Sequence, residues 1–271
     1  MTAEHTEKPS GKIRLGTHIF AGYPMLTEAI SQCGFDLLWI DMEHTGIGIE
    51  SLCNNLIAAR AGGTEAWVRI PWNDPVLAKP VLDMGADGII FPYVRTAEEA
   101  ELAVQSCSYP PQGIRGYGPL RALDYGAISQ MEYVHKTYRK CRRVIQIEHI
   151  DAVRNLPAIA SIDGIDAFVV GPNDLSASVG RIGEVRHPEL IALYREIASV
   201  LRDCHKPFGV SAGFDPAVIR DWAELGATLL FAGSDVSYVR DGAAALKEAM
   251  HAALSLENQS SGIDTFSQYN K

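Results

Sequence analysis

Arg142-Arg143-Val144-Ile145-Gln146-Ile147-Glu148, a helical stretch over 150–161, then Ile165-Asp166-Ala167-Phe168-Val169-Val170-Gly171: this succession decides the fold. Two short apolar, β-branched runs flank an amphipathic segment, which reads as strand, helix, strand. The alternation continues in both directions. Strands are expected near 14–20, 35–41, 65–70, 87–92, 142–148, 165–171, 207–212 and 228–232. Helices are expected near 24–33, 49–61, 74–84, 96–106, 150–161, 187–203, 215–225 and 236–256. Strict alternation implies a parallel sheet. Eight pairs in 271 residues favour closure into a single (β/α)8 TIM barrel over an open doubly wound sheet.

The bulk composition agrees with one large domain. Apolar residues make up 47% of the chain and charged residues 21%, enough for a sizeable core and against global disorder. A net charge of −9 argues against nucleic-acid binding, which needs basic surface. The five cysteines are scattered and include no Cys-x-x-Cys pair, which points to reduced thiols in a cytoplasmic protein. No apolar run is long enough to span a bilayer. The polar residues 1–11 and 257–271 read as flexible tails around a barrel domain at 12–256. The connection 107–141 is too long for a bare loop, and its Gly- and Pro-rich start turns helical near 129–138. It is expected to cover a site, make a subunit contact, or decorate the surface.

In a closed parallel barrel all strand ends of one polarity meet on one face, where active sites are built. Glu148 and Asp174 each follow a strand run, and Asp41-Met42-Glu43-His44 and Arg69 sit at two earlier strand ends. Two carboxylates suffice for a hard divalent cation that keeps several waters. A surface ion pair for Glu148 and a helix N-cap for Asp174 are the alternatives that spacing leaves open. The turn Gly171-Pro172-Asn173-Asp174 is placed to offer backbone N–H groups to a carboxylate or phosphate. His44 with Asp41 forms a candidate acid–base pair, the alternative being a capped turn. Arg69 suits an anionic substrate oxygen or an internal salt bridge to Glu43 or Asp41. His149 directly follows Glu148 and should point elsewhere. There is no dinucleotide fingerprint and no P-loop.

Taken in order, several segments resemble the HpcH/HpaI family of metal-dependent pyruvate aldolases, typified by 4-hydroxy-2-oxoheptanedioate aldolase. They are Asp41-Met42-Glu43-His44, Val68-Arg69-Ile70-Pro71-Trp72-Asn73-Asp74, Leu82-Asp83-Met84-Gly85-Ala86, Tyr109-Pro110-Pro111-Gln112-Gly113-Ile114-Arg115-Gly116, Gln146-Ile147-Glu148 and Gly171-Pro172-Asn173-Asp174-Leu175-Ser176. The resemblance spans roughly 12–255. It implies that Glu148 and Asp174 hold a divalent cation (Mg2+, Mn2+ or Co2+), that His44 and Asp41 form the catalytic dyad, and that Arg69 meets the substrate oxo group. It places Gln146, Asn173 and Asp174 beside the pyruvate moiety. It also implies a hexamer built from dimers that exchange their last helix, with Asp83 near a neighbouring subunit. The chain departs from the typified aldolase at two strand ends that line the aldehyde pocket: His18 and Ser211 stand where that enzyme has apolar residues. The stretch 119–138, with Arg121, Asp124 and Tyr125, also looks different.

The implied reaction is reversible retro-aldol cleavage of a 4-hydroxy-2-oxo acid to pyruvate and an aldehyde through a metal-stabilised pyruvate enolate. No lysine occupies a plausible strand end, which disfavours a Schiff base. Rival uses of the same enolate are oxaloacetate decarboxylation and macrophomate-synthase-like addition to another acceptor. A citrate-lyase-type thioester reaction lacks a basic patch for CoA. A catalytically silent, carboxylate-binding barrel is the reading from another class.

Overall fold

The computed structural model describes residues 11–260. Eight parallel strands close into a barrel in chain order: β1 (Arg14–Ile19), β2 (Leu37–Asp41), β3 (Glu65–Arg69), β4 (Gly88–Phe91), β5 (Arg142–Ile147), β6 (Ala167–Val170), β7 (Phe208–Ala212) and β8 (Leu229–Ser234). β8 returns to pair with β1. This is the expected (β/α)8 arrangement, and strand positions agree with the sequence to within a few residues. The helix expected over 150–161 is two pieces, Ile150–Arg154 and Leu156–Ala160. Pro157 lies in the first turn of the second piece, and its missing N–H breaks a continuous helix there.

The two-residue period of each strand sorts its side chains into two cores. Leu37, Trp39, Trp67, Ile90, Val144, Ala167, Val169, Leu229 and Phe231 fill the barrel interior. The alternate residues, among them Leu38, Ile40, Val68, Ile89, Ile145, Phe168 and Val210, face the helices. Residues at the C-terminal strand ends that share the interior parity therefore look into the barrel mouth. They are His18, Asp41, Arg69, Gln146, Glu148, Gly171 and Ser211.

The long connection leaves from the helix Ala97–Cys107 and enters β5, so it belongs to the N-terminal end of the barrel. Tyr109, Leu123, Tyr133 and Tyr138 form a small core of its own. Arg115 pairs with Asp83 at 2.6 Å. Arg121 donates to the carbonyls of Met84 and Leu56, and Asp124 pairs with Arg60. Of the three alternatives for this segment, cover over the chain's own barrel mouth does not hold. A helix-to-strand connection lies at the end opposite the strand C-termini, and these anchors hold it there. Asp83, expected near a neighbouring subunit, keeps 22% of its side chain exposed beside this pair.

All five cysteines are free. The chain divides into two compact units, the barrel through Asp235 and a second unit from Val236. The helix that opens at Asp235 runs to Ser260, four residues past its expected end. The rest of both expected tails lies outside the described residues, Gly11 excepted. Among the described residues no helix is long and apolar enough to cross a membrane.

Candidate active site

The mouth is organised by one chain of polar contacts. Asp41 and Arg69 are opposite each other in the β2–β3 register. The Arg69 fork donates to both oxygens of Asp41, Nε to Oδ1 at 2.9 Å and Nη2 to Oδ2 at 2.6 Å. This is a bidentate pair between two buried side chains. Its other edge, Nη1, lies 2.8 Å from Glu43 Oε2 and 3.5 Å from Gln146 Oε1. The Glu43 contact is an ion pair without an aligned hydrogen bond. The guanidinium also packs 5.4 Å from the Trp39 ring centroid. Gln146 turns its amide nitrogen to Glu148 Oε2 at 2.6 Å, and the Tyr93 backbone N–H donates to Glu148 Oε1 at 2.7 Å.

Glu148 is 1% exposed and has no ion pair among the described residues. Burial pushes its carboxyl up to about 8, and neighbouring Glu43 and Asp174 add to that push. The Tyr93 N–H and Arg69 oppose it without cancelling it. Glu43 is raised as well, again mainly by burial and against the pull of Arg69. Asp174 is the third residue of the helix Pro172–Ser178, whose cap position is Gly171, so its carboxylate does not cap that helix. Neither alternative considered for these acids holds: Glu148 is not at the surface, and Asp174 is not a cap.

A divalent cation fits this donor set. The described residues contain no cluster of three or more His, Cys, Asp or Glu side chains of the kind that closes a zinc site. Two neighbouring carboxylates, with Asp174 adding to the push on a Glu148 that has N–H donors alone for partners, instead suit a hard cation that retains waters. The same carboxylate is crowded by backbone. A Cβ on Gly171 would stand 2.8 Å from Gln146 Nε2 and 3.0 Å from Glu148 Oε2, so a larger residue there would press on both side chains.

The expected hydrogen-bonded dyad of His44 and Asp41 does not form. Arg69 occupies the Asp41 carboxylate, which also accepts from the Glu43 N–H at 3.0 Å. His44 lies past the strand, with its side chain 61% exposed at the rim, and its Nε2 is 3.6 Å from Glu43 Oε2. The pair that Asp41 makes is the internal salt bridge considered for Arg69. His149 instead accepts from the Asp151 N–H and caps a helix. Asn173 is exposed beside Asp174 at the start of its helix.

His18 and Ser211 are joined across the mouth: His18 Nε2 is 2.8 Å from Ser211 Oγ, and Nδ1 is 2.7 Å from the Gly233 carbonyl. Sequence reasoning gives Glu43 no part beyond an ion pair with Arg69, and it misses Tyr93 and Gly233. Tyr93 works through its main chain, held at φ 55°, which its side chain gives no hint of.

The sequence profile of the HpcH/HpaI aldolase/citrate lyase family matches residues 14–241. A 5-keto-4-deoxy-D-glucarate aldolase of Escherichia coli O9:H4 (strain HS) is 35% identical over 230 residues, 84% of this chain and 89% of that protein. Among solved structures, an HpcH/HpaI aldolase/citrate lyase family protein from Burkholderia cenocepacia J2315 superposes with a TM-score of 0.81. It has 30% identity and covers 88% of this chain and 95% of its own. An HpcH/HpaI aldolase from Desulfitobacterium hafniense DCB-2 gives a TM-score of 0.78 at 27% identity, covering 94% and 96%.

Proposed function

The chain belongs to the HpcH/HpaI aldolase/citrate lyase family, and from that premise and the site's geometry we propose that it cleaves a 4-hydroxy-2-oxo acid reversibly to pyruvate and an aldehyde. The observation that carries the proposal is the buried Glu148 carboxylate, supplied with two N–H donors and no paired side-chain cation among the described residues. Glu148 and Asp174 would hold Mg2+, Mn2+ or Co2+, which when bound supplies a Lewis acid to the 2-oxo acid. Asp41 fixes the Arg69 fork, so that its Nη1 edge faces the side of Glu43 and Gln146. From there Arg69 donates to the 2-oxo oxygen as negative charge develops on it. His44 takes the C4 hydroxyl proton, steadied by Glu43. The C3–C4 bond then breaks, the aldehyde leaves, and protonation of the enolate at C3 gives pyruvate. The name of the E. coli relative fits this class. 5-Keto-4-deoxy-D-glucarate, numbered from its other carboxyl, is itself a 4-hydroxy-2-oxo acid. A hexamer built from dimers belongs to the same proposal and is read by light scattering.

The test is pyruvate release from a panel of 4-hydroxy-2-oxo acids by chelator-treated protein, with each cation added back. Metal-restored release is expected, and His44→Ala should lower kcat by about 10²–10⁴. Undiminished release without any cation, or no pyruvate from any member of the panel, defeats the proposal.

A further inference from the structure

The β1–β8 seam is irregular beside the mouth. Gly16 pairs with Phe231 but His18 pairs with Ser234, so three residues of β8 oppose two of β1. Such a bulge is rare between parallel strands and re-aims the groups around it. Gly233 takes up the extra residue at φ 69°, a left-handed conformation that glycine adopts without strain. The result is a carbonyl directed at His18 Nδ1. Beyond His18, the next loop is held by buried Asp235, which accepts from the Phe20 and Ala21 N–H groups, each at 2.9 Å. The imidazole is 6% exposed and lies among Phe20, Trp39 and Phe231, with ring centroids 5.3, 5.6 and 6.2 Å away.

The direction of each hydrogen bond follows. A carbonyl can only accept, so Nδ1 carries a hydrogen. Burial lowers the pKa of His18, so the ring is neutral near pH 7 and Nε2 is a lone pair. Ser211 must therefore donate its one hydrogen to Nε2. Its Oγ, half-buried at the mouth, is left with lone pairs only. A substrate group that touches it has to bring a hydrogen of its own. The cation that acts on His18, Arg69, is turned toward Asp41 and Glu43 and in the reading above serves the 2-oxo oxygen. Building on the aldolase reading above, we infer that Ser211, held by His18 and the Gly233 carbonyl, is a hydrogen-bond-accepting subsite that selects an aldehyde presenting a hydroxyl, not a carboxylate, at that contact.

Three small aldehydes of similar size separate these cases in the aldol direction with pyruvate and Mn2+: glycolaldehyde (hydroxyl), propanal (methyl) and glyoxylate (carboxylate). For the wild type, kcat/KM for glycolaldehyde should exceed that for propanal by about tenfold, with glyoxylate lowest. Ser211→Ala should bring the glycolaldehyde-to-propanal ratio close to one. His18→Phe keeps an aromatic ring but frees the Ser211 hydrogen to donate, so the glyoxylate-to-glycolaldehyde ratio should rise by about tenfold. Equal wild-type values, or a wild-type preference for glyoxylate, overturn the inference, as do ratios that neither substitution moves. Exchange of the pyruvate methyl protons with D2O by the wild type tells the two readings apart. Without exchange the aldolase reading fails and takes the subsite with it. With exchange and no hydroxyl preference, only the subsite fails.

Discussion

At the N-terminal ends of the strands, Arg115 lies buried 4.7 Å from the Tyr109 ring, and its Nη2 donates to Asp83 at 2.6 Å and to the Tyr133 hydroxyl at 3.1 Å. Arg121 satisfies two main-chain carbonyls, and Arg60 meets Asp124. At the C-terminal ends the inventory of charges is similar but its pairing is incomplete. Arg69 is shared among Asp41, Glu43 and Gln146, while Glu148 is buried with no ion pair among the described residues. A chain folding for stability alone would bury fewer carboxylates than it can neutralise. Leaving the deeply buried Glu148 short of positive charge at one end, while Asp83 and Asp124 are paired at the other, separates the face that receives a ligand from the face that holds the fold.

The largest test of that contrast is Glu148→Gln. Turnover should fall by more than about 10³, since a charged ligand to the cation is lost while shape is kept. Stability should move the other way in chelator-treated protein. The unfolded Glu148 ionises near its ordinary value of 4.5, the folded one at about 8. Between those limits the native state binds more protons than the unfolded state, so the stability of the wild type falls as pH rises. The glutamine of the variant does not titrate. The variant should therefore gain on the wild type across this window, by up to about 1.4 kcal/mol per pH unit and a few kcal/mol in all. Denaturant melts from pH 5 to 9 measure it. Parallel pH curves would mean that Glu148 is not a frustrated charge and that the two ends do not differ as argued.

A smaller effect is expected where backbone crowds the same carboxylate. Gly171→Ala puts a methyl against Gln146 Nε2 and Glu148 Oε2. The acids stay in place but their aim shifts, so cation affinity and kcat should drop by roughly 10–100-fold, as when groups supporting a metal ligand are disturbed. The melting temperature should fall only modestly, because one methyl of overpacking costs about 1–3 kcal/mol. Calorimetric titration with Mn2+ reports the affinity. Wild-type affinity in a folded variant would show that Gly171 only eases the passage of β6.

The barrel is legible because period-two runs and helix-length spacers repeat eight times, and because parity alone sends His18, Asp41, Arg69, Gln146, Glu148 and Ser211 inward. What parity cannot say is which inward groups meet. Asp41 and Arg69 pair because β2 and β3 are registered residue on residue there, and register is a property of closure that no single strand encodes. His44 lies beyond its strand, where alternation ends, and so spacing from Asp41 misidentifies its partner. Tyr93 and Gly233 contribute main-chain groups set by left-handed backbone, and neither residue type announces that role. The long connection is misleading for a simpler reason. Its composition suggests a lid, but its position after a helix and before a strand already assigns it to the far end.

That far end supplies the prediction with the smallest effect on turnover. Arg115→Ala removes the side chain on which the Tyr109 and Tyr133 rings close, along with the pair to Asp83. Asp83 keeps partial access to water, so its charge is not stranded. The loss should be about 2–4 kcal/mol, drawn from cation–π contact and packing as well as the ion pair. For a chain of this size that corresponds to roughly 5–10 °C in Tm. The Arg69–Gln146–Glu148 chain touches none of these groups. kcat/KM per folded molecule should therefore stay within about twofold of the wild type, measured below the variant's transition. A collapse of turnover in a variant that still melts cooperatively would break the separation of the two ends. It would also support the role that the family resemblance suggests for Asp83, beside the site of a neighbouring copy of the chain.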